Sequence, residues 1–253
     1  MANYDIIGNI AVLKTDGMKK KEIIKQAKGL LKKSNIHTVV GKAENIKGKL
    51  RVFKIKHLMG EKNLVADYKE SGCRFKIDIS KCYFSPRLGN DRLEIARKID
   101  KKDKVLCMFS GVAPYPIIIT KKSGCKNIVA IELGRECNKY ARENIKLNKV
   151  EDKIKLIQGD VRKRIKGLGK FDIIVMTRPN LKYSFLKEAL SVAKKSTRIF
   201  YHGFCHEEDK EKMLDDLREE ARNLKKKIKI LKIKEIGDIA PFKHRYRIEM
   251  KVL

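Results

Sequence analysis

From residue 91 onward the chain alternates short apolar runs with stretches of helical spacing, and that rhythm narrows the architectures open to it. DRLEIARKI reads as a helix, VLCMF as a strand, YPIIITKKS as a helix and NIVAIEL as a strand. RECNKYARENIKLN is helical again, KIKLIQ and FDIIVM are strands, YSFLKEALSVA is a helix and TRIFYHGF a strand. Strands alternating with helices predict an α/β fold, a parallel sheet with helices on both faces. EEDKEKMLDDLREEARNL then gives a long helix whose charge predicts a solvated outer face. KIKILKIKEI and HRYRIEMKV close the chain with no helix between them, which predicts an antiparallel hairpin at one edge of the sheet.

The first 80 residues have a different pattern. IIGNIAVLK reads as one strand, and KKKEIIKQAKGLLKKS puts Ile23, Ile24, Ala27, Leu30 and Leu31 on one helical face. IHTVV, KLRVFKIK and CRFKIDI alternate as short strands, with Gly48, Gly60 and Gly72 in the turns. This predicts a small α/β domain over residues 1–80. No Pro- or Ser-rich linker follows it, so it is expected to pack on the larger domain, residues 81–253.

Charge bounds the partners. The chain carries 61 Lys and Arg against 31 Asp and Glu, a formal charge of +30. Such an excess points to a polyanion, most often nucleic acid, with general lysine enrichment as the plainer reading. No apolar run approaches the roughly 20 residues that span a membrane, and the N-terminus lacks the form of a secretory signal. Six cysteines are scattered without a C-x-x-C pair, which predicts reduced core thiols of a cytoplasmic protein and no metal site.

Ligands of parallel sheets bind at the carboxyl ends of the strands. The first strand of the large domain runs into Phe109, Ser110, Gly111 and Val112 within KVLCMFSGVAPYP, a loop with one glycine and neither fingerprint of a phosphate cradle. The second strand ends at Glu132-Leu133, about 20 positions past Gly111, where an acidic residue grips ribose hydroxyls. Asp160-Val161 follow the third strand and Thr177-Arg178-Pro179 the fourth. A single Gly loop with two carboxylates suits a cofactor held by its adenosine rather than its phosphates. S-adenosylmethionine is such a cofactor, so the sheet is expected to be a Rossmann-like class I methyltransferase sheet. Each acid alone would also serve as an ordinary helix cap.

KCYFSPRLGNDR, just ahead of the first sheet strand, resembles the Y-F-S-P-R segment of the archaeal and eukaryotic tRNA (guanine-37-N1)-methyltransferases. KGKLRVFKIKHLMGEKN is similar to their K-G-E-F-R…H-L-x-G-E-x stretch, MFSGVAPY to M-F-A-G-V-G-P-F, and IAPFKHRY to Y-A-P-R-E-Y. ENIKLNKVEDKI and GDVR also resemble the family, so the likeness runs from residue 4 to about 250. The chain starts where the family's second domain starts, so the N-terminal module that reads the tRNA body is expected to be lacking.

The resemblance implies methyl transfer from S-adenosylmethionine to N1 of the guanine 3′ to the anticodon. It places the base at Asp91 and the arginine that stabilises O6 at Arg51. Tyr83 is expected to line the cofactor or base pocket, and Arg87, Thr177 and Arg178 to meet the tRNA. Read from the residues alone, Asp91 also suits a helix cap, Arg51 a solvated strand face, Tyr83 packing and Arg87 a surface ion pair. The chain departs from the family in four places: Asp91 where Glu is usual, Cys107 for Asp, Ala113 for Gly, and Met176-Thr177-Arg178-Pro179 for M-N-L-P.

Two other functions remain open. One is a wyosine-pathway enzyme acting on the same nucleotide, by precursor methylation or aminocarboxypropyl transfer. The other is a non-catalytic RNA-binding paralogue that keeps the fold and the charge.

Overall fold

The structure is a computed structural model that describes residues 3–42 and 55–253. The stretch read as one N-terminal strand is two, β1 (Tyr4–Ile7) and β2 (Ile10–Lys14), paired antiparallel through Gly8-Asn9. Gly8 sits at φ +58°, where L side chains are strained, and a Cβ there would collide with the Asp67 carbonyl oxygen. With α1 (Lys20–Leu31), β3 (Thr38–Lys42) and β4 (Ile55–Gly60), these strands form a four-stranded sheet in the order β1-β2-β3-β4. Ala27 and Leu30 of α1 are buried, whereas Ile24 is 41% exposed, so the apolar face is narrower than its spacing implies. The glycine turn expected at Gly48 lies outside the described residues.

A two-stranded hairpin follows, β5 (Val65–Glu70) and β6 (Cys73–Asp78). It works as a strut between the two units. The Asp67 amide donates to Asn9 Oδ1 at 2.9 Å on the small sheet. On its other side, Asn144 and Asn148 of α4 (Arg135–Leu147, with Asn148 its C-cap) bond the backbone of β6. Asn144 Oδ1 accepts from the Lys76 amide at 2.7 Å, and Asn148 Nδ2 donates to the Arg74 carbonyl at 2.7 Å.

The large unit opens with α2 (Gly89–Ala96) and continues through β7 (Lys104–Met108), α3 (Pro114–Ser123), β8 (Asn127–Glu132), α4 and β9 (Ile154–Gln158). It proceeds through α5 (Val161–Arg164), β10 (Phe171–Met176), α6 (Leu186–Ser191), β11 (Ala193–His206) and α7 (Lys210–Asn223). It ends with β12 (Ile228–Ala240) and β13 (Lys243–Val252). The seven strands lie in the order β12-β13-β11-β10-β7-β8-β9. β11, β10, β7, β8 and β9 run parallel, and β13 and β12 add the expected antiparallel hairpin at one edge.

β7 is central, which explains its unbroken apolar run: Val105 and Cys107 enter one core, Leu106 and Met108 the other. All six cysteines are buried and free. The charged helix α7 is amphipathic rather than wholly solvated, because Leu214, Leu217 and Ala221 pack into the second core. Among the described residues no helix is long and apolar enough to cross a membrane.

Candidate active site

The strand order reverses at β7, with β8 on one side and β10 on the other, so a crevice opens beyond the carboxyl ends. A cavity of about 210 Å³ occupies it. Tyr83, Phe109, Ser110, Gly111, Glu132, Leu133, Asp160, Val161, Thr177 and Pro179 all line it. Val112 does not. It is fully buried in the core, where its carbonyl accepts from Asn144 Nδ2 at 3.1 Å.

The spacing from Gly111 to Glu132 closes as a hydrogen bond. Glu132 Oε2 accepts the Gly111 amide at 2.8 Å and Oε1 accepts the Gly134 amide at 2.7 Å, which fixes the carboxylate at the mouth of β8. Burial pushes the Glu132 carboxyl up, and the amides of Gly134, Gly111 and Leu133 only partly offset it. Asp160 caps α5 through the Arg162 amide at 2.9 Å and pairs with the Arg162 guanidinium at 2.5 Å. The Ser110 hydroxyl is buried with no partner among the described residues. An unpaired buried hydroxyl costs about 1–3 kcal/mol, which a polar ligand atom would offset. Thr177 Oγ1 donates to the Phe109 carbonyl at 3.0 Å and so ties the β10 loop to the β7 loop.

Asp91 does not cap α2, whose N-cap is Leu88, but lies in its first turn. It is 4% exposed and sits behind Tyr115 and His202, which form part of the cavity wall. Tyr115 donates to Asp91 Oδ2 at 2.6 Å, and His202 Nε2 lies 3.0 Å from the same oxygen. Arg247 Nη1 donates to Oδ1 at 2.6 Å. Burial alone would raise the Asp91 carboxyl, but His202, Tyr115 and Arg247 together hold it well below the usual carboxylate range. Burial pushes the His202 imidazole down, more than Asp91 raises it. Facing a carboxylate, which only accepts, His202 Nε2 is the donor of that hydrogen bond.

The tyrosine hydroxyl of Tyr83 accepts from Arg245 Nη2 at 2.9 Å. Arg87 pairs with Asp5 Oδ1 at 2.7 Å and lines a second cavity of about 520 Å³, between the small unit and the β12–β13 hairpin. Arg178 departs from its expected place at the RNA surface. It is 7% exposed, and its Nη1 donates to the Pro179 carbonyl at 3.0 Å and the Leu181 carbonyl at 2.8 Å. Its guanidinium also lies over the Tyr201 and Phe204 rings, so it braces the 177–181 loop. Arg51 lies outside the described residues. Tyr115, His202 and Arg245 also shape the site, and sequence reasoning passed over them. The one signal in the sequence is His202, a histidine inside the apolar run TRIFYHGF.

The chain resembles known proteins over nearly its full length. The tRNA (guanine(37)-N(1))-methyltransferase Trm5b of Pyrococcus abyssi is 32% identical over 261 aligned residues, covering 99% of this chain and 74% of that protein. The tRNA (guanine(37)-N(1))/4-demethylwyosine(37)-methyltransferase Taw22 of Nanoarchaeum equitans is 30% identical, covering 99% of this chain and 100% of that protein. The solved complex of aTrm5 and tRNALeu superposes with a TM-score of 0.86 at 29% identity, over 99% of this chain and 72% of that one. The TYW2 N-terminal domain profile matches residues 1–63. The TRM5/TYW2 methyltransferase domain profile matches residues 66–231, a span that holds the whole cavity wall but Arg245, and the chain belongs to that family.

Proposed function

We propose that this chain is a cytoplasmic S-adenosylmethionine-dependent tRNA methyltransferase that acts on N1 of guanine 37. One observation carries the reading: the cavity at the strand ends shares Tyr83, Phe84, Ser85, Leu88, Leu181 and Arg245 with the second cavity. A cofactor site thus adjoins a compartment wide enough for a nucleobase, and Lys14, Lys42, Arg87 and Lys243 are among the residues around that compartment. The +30 charge supports a polyanionic partner.

S-adenosylmethionine suits the first cavity. Glu132 is placed to accept ribose hydroxyls, the unpaired Ser110 hydroxyl and Asp160 offer further polar contacts, and Phe109, Leu133 and Val161 give the adenine an apolar seat. When bound, it supplies a methyl carbon whose bond to sulfur breaks with the electron pair left on sulfur. The chain's own residues must do the rest. Guanine N1 carries a proton, so a basic group has to take it while negative charge grows on O6. The Asp91 cluster supplies the anionic centre, and Arg51, through the family resemblance, supplies the cation for O6. The base has to leave the anticodon stack to be reached. The small unit (1–80) and the large one (81–253) act together here, with the 65–78 hairpin bracing both.

The test is nucleoside mass spectrometry of a G37 tRNA incubated with protein and S-adenosylmethionine, beside an A37 transcript and a tRNA bearing the wyosine precursor. N1-methylguanosine from the G37 tRNA alone supports the reading. A second reading, precursor methylation, is favoured by the likeness to Taw22, whose name gives both guanine 37 and 4-demethylwyosine 37 as its targets. A product on the precursor alone would select it. Cofactor binding without any product would argue against both.

A further inference from the structure

Of the residues that line both cavities, Arg245 is the charged one. It stands on β13 opposite Phe204 of β11 and is 4% exposed. Its Nη2 donates to the Tyr83 hydroxyl at 2.9 Å, and its guanidinium lies 5.2 Å over the Phe204 ring. Among the described residues it has no carboxylate partner, and Nε is enclosed without an acceptor. Nη1 has no acceptor either, yet it is not enclosed, so it meets the open space that the two cavities make. The other arginine buried in the wall of the first cavity is neutralised, since Arg92 Nε donates to Glu70 Oε1 at 2.7 Å and its Nη2 to Oε2. A guanidinium buried with most of its donors unmet is costly, and an acceptor that arrives with the substrate offsets that cost.

The sheet order separates Arg245 from the ribose end of the cofactor site. β13 lies four strands from β8, which carries Glu132, in the order β13-β11-β10-β7-β8. At the usual strand spacing that is roughly 19 Å, so Arg245 stands across the crevice from Glu132. On its own side lies the second compartment, with Lys14, Lys42, Arg87 and Lys243 around it. Flexible lysines suit phosphates, whereas an enclosed guanidinium held in one orientation suits a base edge. Guanine presents O6 and N7 as adjacent acceptors, and adenine puts an amino donor in place of O6. An arginine fork accepts the first and rejects the second.

We infer that Arg245 is a specificity-determining residue of this site, donating to the O6 and N7 edge of guanine 37 and so selecting guanine over adenine. The inference rests on the methyl-transfer reading above. Tyr83 fixes one arm of the guanidinium and the Phe204 ring supports its face, which leaves the rest of the fork for the base. A carbonyl oxygen has two lone pairs, so O6 can meet Arg245 and a second cation at once. Contact along the O6–N7 edge leaves N1 open to the methyl carbon.

The test compares methylation of a G37 tRNA with that of the same tRNA carrying 7-deazaguanosine at position 37, which lacks the N7 acceptor. Wild type is expected to favour G37 by about 10-fold or more in kcat/KM, a measurement that needs no variant. Arg245→Met, which keeps an unbranched side chain, should lose about 10- to 100-fold on G37 and shrink that preference about tenfold, with cofactor affinity by isothermal titration within about twofold of wild type. Arg245→Lys keeps the charge without the fork and should resemble Arg245→Met in preference. A wild type indifferent to N7, or a preference unchanged in Arg245→Met, would overturn the inference. So would cofactor affinity falling in step with rate, which would put Arg245 on the cofactor's carboxylate. In each of those cases methyl transfer to G37 by wild type would still stand in the same assay. A wild-type chain that makes no methylated nucleoside from the G37 tRNA would take down both readings.

Discussion

Arg247 lies 2.6 Å from Asp91 through Nη1, and its Nη2 reaches Glu94 Oε2, one turn on along α2, at 2.8 Å and Glu249 Oε1 at 3.1 Å. Its side chain is fully buried, so the pair holds without solvent screening. Arg247→Met removes the cation and leaves the Asp91 charge enclosed. The expected cost is about 3–5 kcal/mol of unfolding free energy, read by urea denaturation. Asp91→Asn with Arg247→Met should recover much of that loss, because no stranded charge remains.

Asp91→Asn by itself is expected to cut the methylation rate by about 100-fold or more while cofactor affinity stays put. Asparagine keeps the shape and loses the anionic centre. Equal losses in rate and cofactor binding would show damage to the cavity rather than to proton transfer.

The Asp91 cluster also has a pH signature. Its carboxyl is held far below the ordinary range in the folded chain, so its stabilisation is fully present above the unfolded carboxylate value of about 4. That stabilisation is lost as pH falls through the folded value. The stability gap between wild type and Asp91→Asn should therefore be widest near neutrality and shrink below about pH 4, in denaturant titrations at each pH.

Glu132 has the opposite sign. Burial raises its carboxyl above the ordinary glutamate range, so the folded chain holds that proton to a higher pH than a free glutamate. Hydroxyl donors need the ionised form, so cofactor affinity should fall on acidification, beginning above the ordinary glutamate range. Isothermal titration across pH reads it, and Glu132→Gln is expected to weaken binding about 10- to 100-fold and flatten the dependence.

Asn144 holds the strut. It bonds the Lys76 amide, the Lys76 carbonyl and the Val112 carbonyl from a fully buried position. Asn144→Leu leaves those backbone groups unpaired, at an expected cost of about 3 kcal/mol. For a chain of this size that is a drop in Tm of roughly 6–12 °C.

Much of the site was legible because its signals are local. Gly111 and Glu132 meet because consecutive parallel strands bring their carboxyl ends together, and the spacing along the chain carries that information. Asp91 and its partners could not be read this way. His202 and Arg247 lie 111 and 156 positions away, and periodicity says which face a residue takes, not which distant residue it meets there. β5 is not legible because VADYKE carries three charges in its last four residues and no apolar alternation, so it looks like loop until β6 pairs with it. Ala113 illustrates a different blindness. It stands where the family usually has glycine, and the structure shows the reason: the position is left-handed, at φ +66°, a conformation that costs a non-glycine residue about 1–2 kcal/mol. The substitution is visible in the sequence and the backbone demand is not.

The buried cysteines make the chain its own clock for opening. With all six thiols free and enclosed, a colourless disulfide reagent that yields a coloured thiolate has nothing to attack while the fold is shut. Each sulfur released to solvent would mark the exposure of a particular layer: Cys107 the central strand, Cys73 the strut, Cys205 the rim near β13. Order of labelling along the chain would then tell which part of the architecture breathes first.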